Sequence, residues 1–167
     1  HIALLIGNAT YKHKAESQQL PNAARDVAMI KARLLALGYL ESEIRTVSNA
    51  GGQDLREALN TFAEAAESAD MAILYYAGHG KGDRAGNAYL LPSDIRWDSE
   101  AALSMNAVSV LSIAHMLDSR RANSIRVLLI DACRDLANAR GDAFRILDQD
   151  LPDGVIVQTA SRSEEHT

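Results

Sequence analysis

The chain has 167 residues, with 17 Lys and Arg against 22 Asp and Glu, a formal net charge of −5, 47% hydrophobic and 23% charged residues. Those proportions supply one domain with a real core and exclude disordered and collagen-like classes, and an acidic balance with no run of Lys and Arg argues against a phosphate-tracking nucleic-acid surface. No apolar run approaches the roughly 18 residues that span a bilayer, and the opening HIALLIGN lacks a basic region and a small-residue cleavage site, so a soluble protein is expected, with a cytoplasmic setting favoured.

Five apolar runs read as strands: Ile2 to Ile6, Ile44 to Val47, Met71 to Tyr76, Val127 to Ile130 and Val155 to Val157. Most are continuously hydrophobic, the pattern of strands covered on both faces. After the first strand and Gly7-Asn8, the positions Ala23, Val27, Ile30, Leu34 and Leu37 recur at helical steps and predict a helix ending near Gly38. After the second strand, Gly51-Gly52 signals a turn, and Leu55, Leu59, Phe62 and Ala66 mark a second helix. Asp54 and Glu57 carry the spacing of its capping box. The third strand runs into Gly78-His79-Gly80, and Gly80 to Ser104, with Gly82, Gly86 and Tyr89-Leu90-Leu91-Pro92, predicts a small hairpin or exposed loop. Val110, Ile113 and Leu117 mark a third helix before the fourth strand, which leads into Asp131-Ala132-Cys133-Arg134-Asp135. The polar segment Leu136 to Gly154 is expected to be mobile. The chain stops soon after the fifth strand with no closing helix, the pattern of one piece of a longer protein. This order predicts an α/β domain with a mostly parallel central sheet flanked by helices and right-handed crossovers.

Open parallel sheets bind ligands at the carboxyl ends of their strands, and here those ends carry Gly7-Asn8, Gly78-His79-Gly80 and Asp131 to Asp135. If the third and fourth strands are neighbours, a His and the only Cys end adjacent strands, a catalytic pair by placement. A free thiol with a pKa of about 8.5 needs help to ionise at neutral pH. His79 can serve as base or imidazolium partner, and a helix N-terminus at Cys133 beside Arg134 would favour the thiolate. The amides of Gly80 and Cys133 are the natural donors to an oxyanion. A lone Cys is more often a small buried hydrophobe, but a His between two glycines and a Cys among Asp131, Arg134 and Asp135 are poor core environments. No metal site is expected, since neither C-x-x-C nor H-x-x-x-H occurs.

Tyr75-Tyr76-Ala77-Gly78-His79-Gly80, followed 54 residues after the His by Cys133 within Leu129-Ile130-Asp131-Ala132-Cys133-Arg134-Asp135, resembles the caspase-like cysteine peptidases of clan CD. Against the caspase signature Q-A-C-[RQG]-G, with its His about 50 residues upstream, this chain has Asp in the first and last places. Those departures point to metacaspases, paracaspases and their bacterial relatives, the orthocaspases. Leu20-Pro21-Asn22 through Asp26 and Asn87 through Asp94 are similar to that group as well.

The resemblance implies one caspase-like catalytic domain over residues 1–167, with a further strand and helix beyond it. It implies Cys133 as nucleophile, His79 as its partner, and cleavage after Arg or Lys held by carboxylates matching Asp26 and Asp131. A carboxylate two residues before the nucleophile suits a guanidinium, although Asp26 has an alternative reading as support for the first turn of its helix. Ala77 stands where many metacaspases have Ser. The implied partners are protein or peptide substrates, without nucleic acid or membrane, and flanking domains of a longer protein are compatible with this reading. No cofactor is implied as required; calcium, which many metacaspases need, finds no clear site, because Asp148, Asp150 and Asp153 do not reproduce an EF-hand spacing. Arg140 before Gly141, and less favourably Arg145 before Ile146, are candidates for self-cleavage. The rival reading is a catalytically idle caspase-like module used for binding or scaffolding.

Overall fold

The five apolar runs become parallel strands of one seven-stranded sheet in the computed structural model, which describes residues 1–83, 85–96, 99–118, 123–134 and 151–160, at 100, 133 and 134 by backbone. β1 (Ile2–Gly7) lies between β2 (Ile44–Ser48) and β3 (Met71–Gly82). β6 (Ile125–Arg134) pairs with β3 on its other side, and β7 (Val155–Ala160) pairs with β6, every one of these pairings being parallel. Past Ala77 the place of β1 beside β3 passes to β4 (Ala88–Leu90), which is antiparallel, and β5 (Val108–Ser109) is antiparallel to β4. The sheet is therefore mostly parallel, as predicted, and no helix among the described residues is long and apolar enough to cross a membrane.

Pleating sorts the strand residues by parity. Odd-numbered Ala3, Leu5, Tyr75 and Ala77 form one core with Ala23, Val27 and Leu34 of α1 (Asn22–Ala36) and Leu103 of α3 (Glu100–Asn106). Even-numbered Leu4, Ile6, Leu74, Tyr76, Leu128 and Ile130 form the other, with Leu55, Leu59 and Phe62 of α2 (Gly52–Ala66) and Ile113 of α4 (Val110–Met116). A sheet covered on both faces in this way needs apolar residues at consecutive strand positions, which is why the strands read as unbroken runs.

Helix ends follow local rules where the local residues are used. The amides of Gly38 and Tyr39 donate to the carbonyls of Leu35 and Leu34, closing α1 where the sequence expects it. The capping box expected at Asp54 and Glu57 is not formed. α2 starts at Gly52, whose amide donates to Asp94 Oδ1 at 2.9 Å, so a carboxylate distant in sequence caps the helix and Asp54 lies inside its first turn. The Gly80 to Ser104 stretch forms the small hairpin expected of it, with β4 turned back antiparallel on the end of β3, and more of it is buried than an exposed loop would be. It holds the end of β3, β4 and the start of α3, and it buries Ala88, Leu90, Leu91 and Ile95.

The far end of α2 is closed by a cation from β6. Arg126, 1% exposed, donates from Nη2 to the Ala66 carbonyl at 2.6 Å and from Nη1 to the carbonyls of Ala69 at 3.2 Å and Ile125 at 3.1 Å. The last turn of α2 has no basic residue of its own, so this guanidinium meets the carbonyls that the helix leaves without donors. Arg126→Leu is expected to destabilise the fold by about 2 to 4 kcal/mol in urea unfolding, since it strips the donors from buried carbonyls, and Arg126→Lys to restore part of the loss.

The turn between β3 and β4 hangs on one carboxylate. Asp83 Oδ1 accepts the amides of Ala85 and Asn87 at 2.9 Å each, and Oδ2 accepts Asn87 Nδ2 at 2.8 Å and the Tyr89 hydroxyl at 3.1 Å. Burial pushes the Asp83 carboxyl up, but the hydrogen bonds from Asn87, Tyr89 and Ala85 outweigh it and hold the group below its ordinary value. A folded pKa below the unfolded one gives stability that is present above the unfolded value, about 3.9, and is lost as pH falls through the folded one. Amide exchange at Ala85 and Asn87 should therefore become less protected as pH drops below about 4, and Asp83→Asn should remove that pH dependence.

Candidate active site

The site forms where β1 ends and β3 and β6 run on beside each other. Gly7 pairs with Ala77, and Ala77 with Asp131. A Cβ on Gly7 would lie 2.9 Å from Val27 Cγ2 and 3.2 Å from the Ala23 carbonyl oxygen, so the glycine lets the first half of α1 rest on the end of β1. Asp26 shares the buried stripe of α1 with Ala23 and Val27, and α1 ends up on the odd-numbered face of the sheet. Asp131, in the odd-numbered series of β6, accepts the Tyr75 hydroxyl on Oδ2 at 3.3 Å. Asp26 and Asp131 therefore share that face, and Asp26 lies beyond the first turn of its helix, where support of the helix terminus has faded.

Asn8 ties the neighbouring loops to this row. It is fully buried; its amide donates to the Ala77 carbonyl at 2.8 Å, its Oδ1 accepts the Ala50 amide at 2.8 Å, and its Nδ2 donates to the Leu91 carbonyl at 3.2 Å. The loop that follows folds on Gln19, which accepts the Tyr11 amide at 2.6 Å and donates to the carbonyls of Tyr11 at 3.0 Å and Lys14 at 3.1 Å. That closure brings Tyr11 and the Gln18 carbonyl to His79.

His79 is held by backbone and ring alike. Its amide donates to the Tyr11 hydroxyl at 2.7 Å, its carbonyl accepts the Leu91 amide at 3.1 Å, and its ring lies 4.6 Å from that of Tyr11. The Tyr76 hydroxyl lies 2.8 Å from the His79 carbonyl and 3.0 Å from that of Leu91, and burial pushes its phenol well above the ordinary range, so it remains a donor. His79 Nε2 lies 2.7 Å from the Gln18 carbonyl. A carbonyl only accepts, so Nε2 carries hydrogen and, in the neutral ring, Nδ1 carries the lone pair.

Gly78 is set by the same tyrosines: a Cβ there would lie 2.5 Å from the Tyr76 hydroxyl and 2.8 Å from that of Tyr11. Gly78→Ala is expected to push both hydroxyls off the His79 backbone and cost about 1 to 3 kcal/mol in urea unfolding. The displacement should register as a shifted His79 imidazole resonance.

β3 and β6 both continue well past their apolar runs. His79 pairs with Cys133 and Gly80 with Arg134, so the two expected reactive residues end adjacent strands, as predicted, and are register partners. The helix N-terminus expected at Cys133 is replaced by strand through Arg134, because β3 runs on to Gly82 and gives β6 a partner that far. The His79 amide and carbonyl both face the Tyr11 and Leu91 side, and alternation along the strand turns the Gly80 amide toward β6. Arg140 and Arg145, with Asp148 and Asp150, lie outside the described residues.

Tyr11, Gln18 and Gln19 were not legible as site residues, since nothing in a polar loop announces which carbonyl meets a distant imidazole. Tyr76 carried a signal: a phenol buried within an inner strand needs a hydrogen-bond acceptor.

The caspase domain of the peptidase C14 family matches residues 1–166 of this chain. The human (Homo sapiens) mucosa-associated lymphoid tissue lymphoma translocation protein 1 is 28% identical over 147 residues, covering 88% of this chain and 16% of that protein. A solved structure of pro-sf-caspase-1 superposes with a TM-score of 0.67 at 12% identity, covering 95% of this chain and 60% of the other, a likeness of fold. The chain thus spans about a sixth of that human relative and three fifths of that solved chain.

Proposed function

Because the chain belongs to the caspase domain family of C14 peptidases, we propose that it is a cysteine endopeptidase that hydrolyses peptide bonds after Arg or Lys through His79 and Cys133. One observation carries the reading: the β3–β6 register that pairs His79 with Cys133.

Residue by residue the chemistry is as follows. His79 Nδ1 takes the thiol proton of Cys133, and the sulfur attacks the carbonyl carbon of the scissile bond. The oxyanion is met by the amides of Gly80 and Cys133, which leave the β3–β6 ladder to reach it when substrate binds. As the ring becomes cationic, its Nε2–H bond to the Gln18 carbonyl strengthens and favours the imidazolium. Collapse expels the amine, which takes the proton back from Nδ1. Water, giving a proton to Nδ1, then hydrolyses the thioester and frees the thiol. Asp26 and Asp131 accept the guanidinium or ammonium of the residue on the acyl side, and Ala77, the register partner of Asp131, leaves that pocket without a hydroxyl.

The test is a panel of short peptides ending in Arg, Lys or Asp before a fluorogenic amine, with and without calcium. Release from Arg and Lys but not Asp peptides is the expected result. Preference for Asp would overturn the specificity, and no release by a folded protein would leave the idle binding module.

A further inference from the structure

Resting on that peptidase reading, we propose that a cavity beside the start of α2 is an exosite for an acidic side chain of the protein substrate, remote from the scissile bond. The cavity, of about 340 Å³, is lined by His13, Arg56, Asp94, Arg96 and Asn106 among others. Its basic side chains, His13, Arg56 and Arg96, come from three separate stretches of chain, so no basic run in the sequence announces it.

Arg56 is fixed across the cavity by neutral acceptors, donating from Nη1 to the Gly52 carbonyl at 3.0 Å and from Nη2 to the Asn106 carbonyl at 3.2 Å. Those bonds hold its position without cancelling its charge. Asp94, the one carboxylate of the lining among the described residues, accepts the Gly52 amide, so two guanidiniums stand against one carboxylate there. Among the described residues no carboxylate forms an ion pair with His13, Arg56 or Arg96. A chain with a net charge of −5 thus gathers two guanidiniums and an imidazole around one cavity. The guanidinium fork matches a carboxylate, and the volume admits an acidic side chain.

Both walls extend the segments that hold His79. His13 follows Tyr11, whose ring lies against the imidazole, and Asp94 and Arg96 follow Leu91, whose amide donates to the His79 carbonyl. The Lys12 amide donates to the Ser93 carbonyl at 2.8 Å and ties the two walls together. A substrate stretched over the carboxyl edge of the sheet therefore passes from the Asp26 and Asp131 carboxylates to a cationic cavity. That opposition of sign selects a substrate with a basic residue at the cut and an acidic one at a distance.

Internally quenched peptides with a single Arg, carrying three Glu or three Gln on either side of it, test this with the parent and the Arg56→Gln/Arg96→Gln variant. At low salt at least one Glu peptide should be cleaved about tenfold faster in kcat/KM than its Gln counterpart, and the variant should erase that gap while cleaving the Gln peptides at the parent rate. Arg96→Glu, at an exposed position, should reverse the preference even if Arg56 substitution disturbs α2. No gap in the parent, or a gap that the variants keep, overturns the proposal. Fluorescence anisotropy with the Cys133→Ala protein and a labelled Glu peptide lacking Arg reads the site without cleavage. Affinity should fall at least fivefold with the double substitution, and unchanged affinity, or competition by inorganic phosphate at equal strength, counts against a side-chain site. Binding that depends on the two arginines in a parent that cleaves nothing would sink the peptidase reading and leave the acidic-peptide site standing.

Discussion

Cys133→Ala is expected to lower kcat/KM for an arginyl peptide by on the order of a thousandfold or more, which is at least about 4 kcal/mol of transition-state stabilisation, while the urea midpoint stays near that of the parent. The chain has no other cysteine, so nothing else can form the thioester. Binding and oxyanion contacts survive the substitution, so a small residual rate is expected rather than none. His79→Ala should approach the same loss, because the two residues act as a unit and their effects will not add. Cleavage at the parent rate by Cys133→Ala would remove the proposed mechanism.

Asp131→Ala is expected to cost about 2 to 5 kcal/mol, roughly 30- to 5,000-fold in kcat/KM, toward Arg and Lys peptides. Part of that cost is the penalty of burying a substrate cation that has lost its acceptor. Asp26→Ala should lose less, since Asp131 belongs to the same strand as the nucleophile, two residues before it. Asp131 also accepts the Tyr75 hydroxyl, so a stability loss of about 1 kcal/mol should accompany the kinetic one. Asp131→Asn separates the two effects: it keeps an acceptor for Tyr75 and removes the charge. Equal losses toward Arg and uncharged substrates would contradict a charge-recognition role for Asp131.

The parallel sheet was legible because both of its faces are covered, which makes consecutive strand positions apolar, and the helices were legible because each buries one stripe. The polar ends of those strands mark His79 and Cys133 in the sequence. Their pairing was less legible: periodicity ends where the apolar run ends, but β3 and β6 go on hydrogen-bonding through Gly80 and Arg134, where side chains turn polar. For the same reason a helix was expected at Cys133 where the backbone is strand. The cap of α2 by Asp94, the guanidinium of Arg126 on its far end and the Gln18 carbonyl on His79 each join residues distant in sequence, and local spacing carries no trace of them. Glycines were the informative exceptions. Gly7 and Gly78 each mark a place where another group occupies the room of a side chain, α1 in one case and two tyrosine hydroxyls in the other.

The most direct measurement is covalent capture: a peptidyl-arginyl fluoromethyl ketone is added to the parent, and intact mass and peptide fragmentation locate the adduct. The thiolate displaces fluoride and forms a thioether, so the account predicts one adduct per chain, on Cys133, formed more slowly in Asp131→Ala and not formed with the aspartyl analogue. No adduct on Cys133, or equal capture by the aspartyl and arginyl reagents, would contradict it.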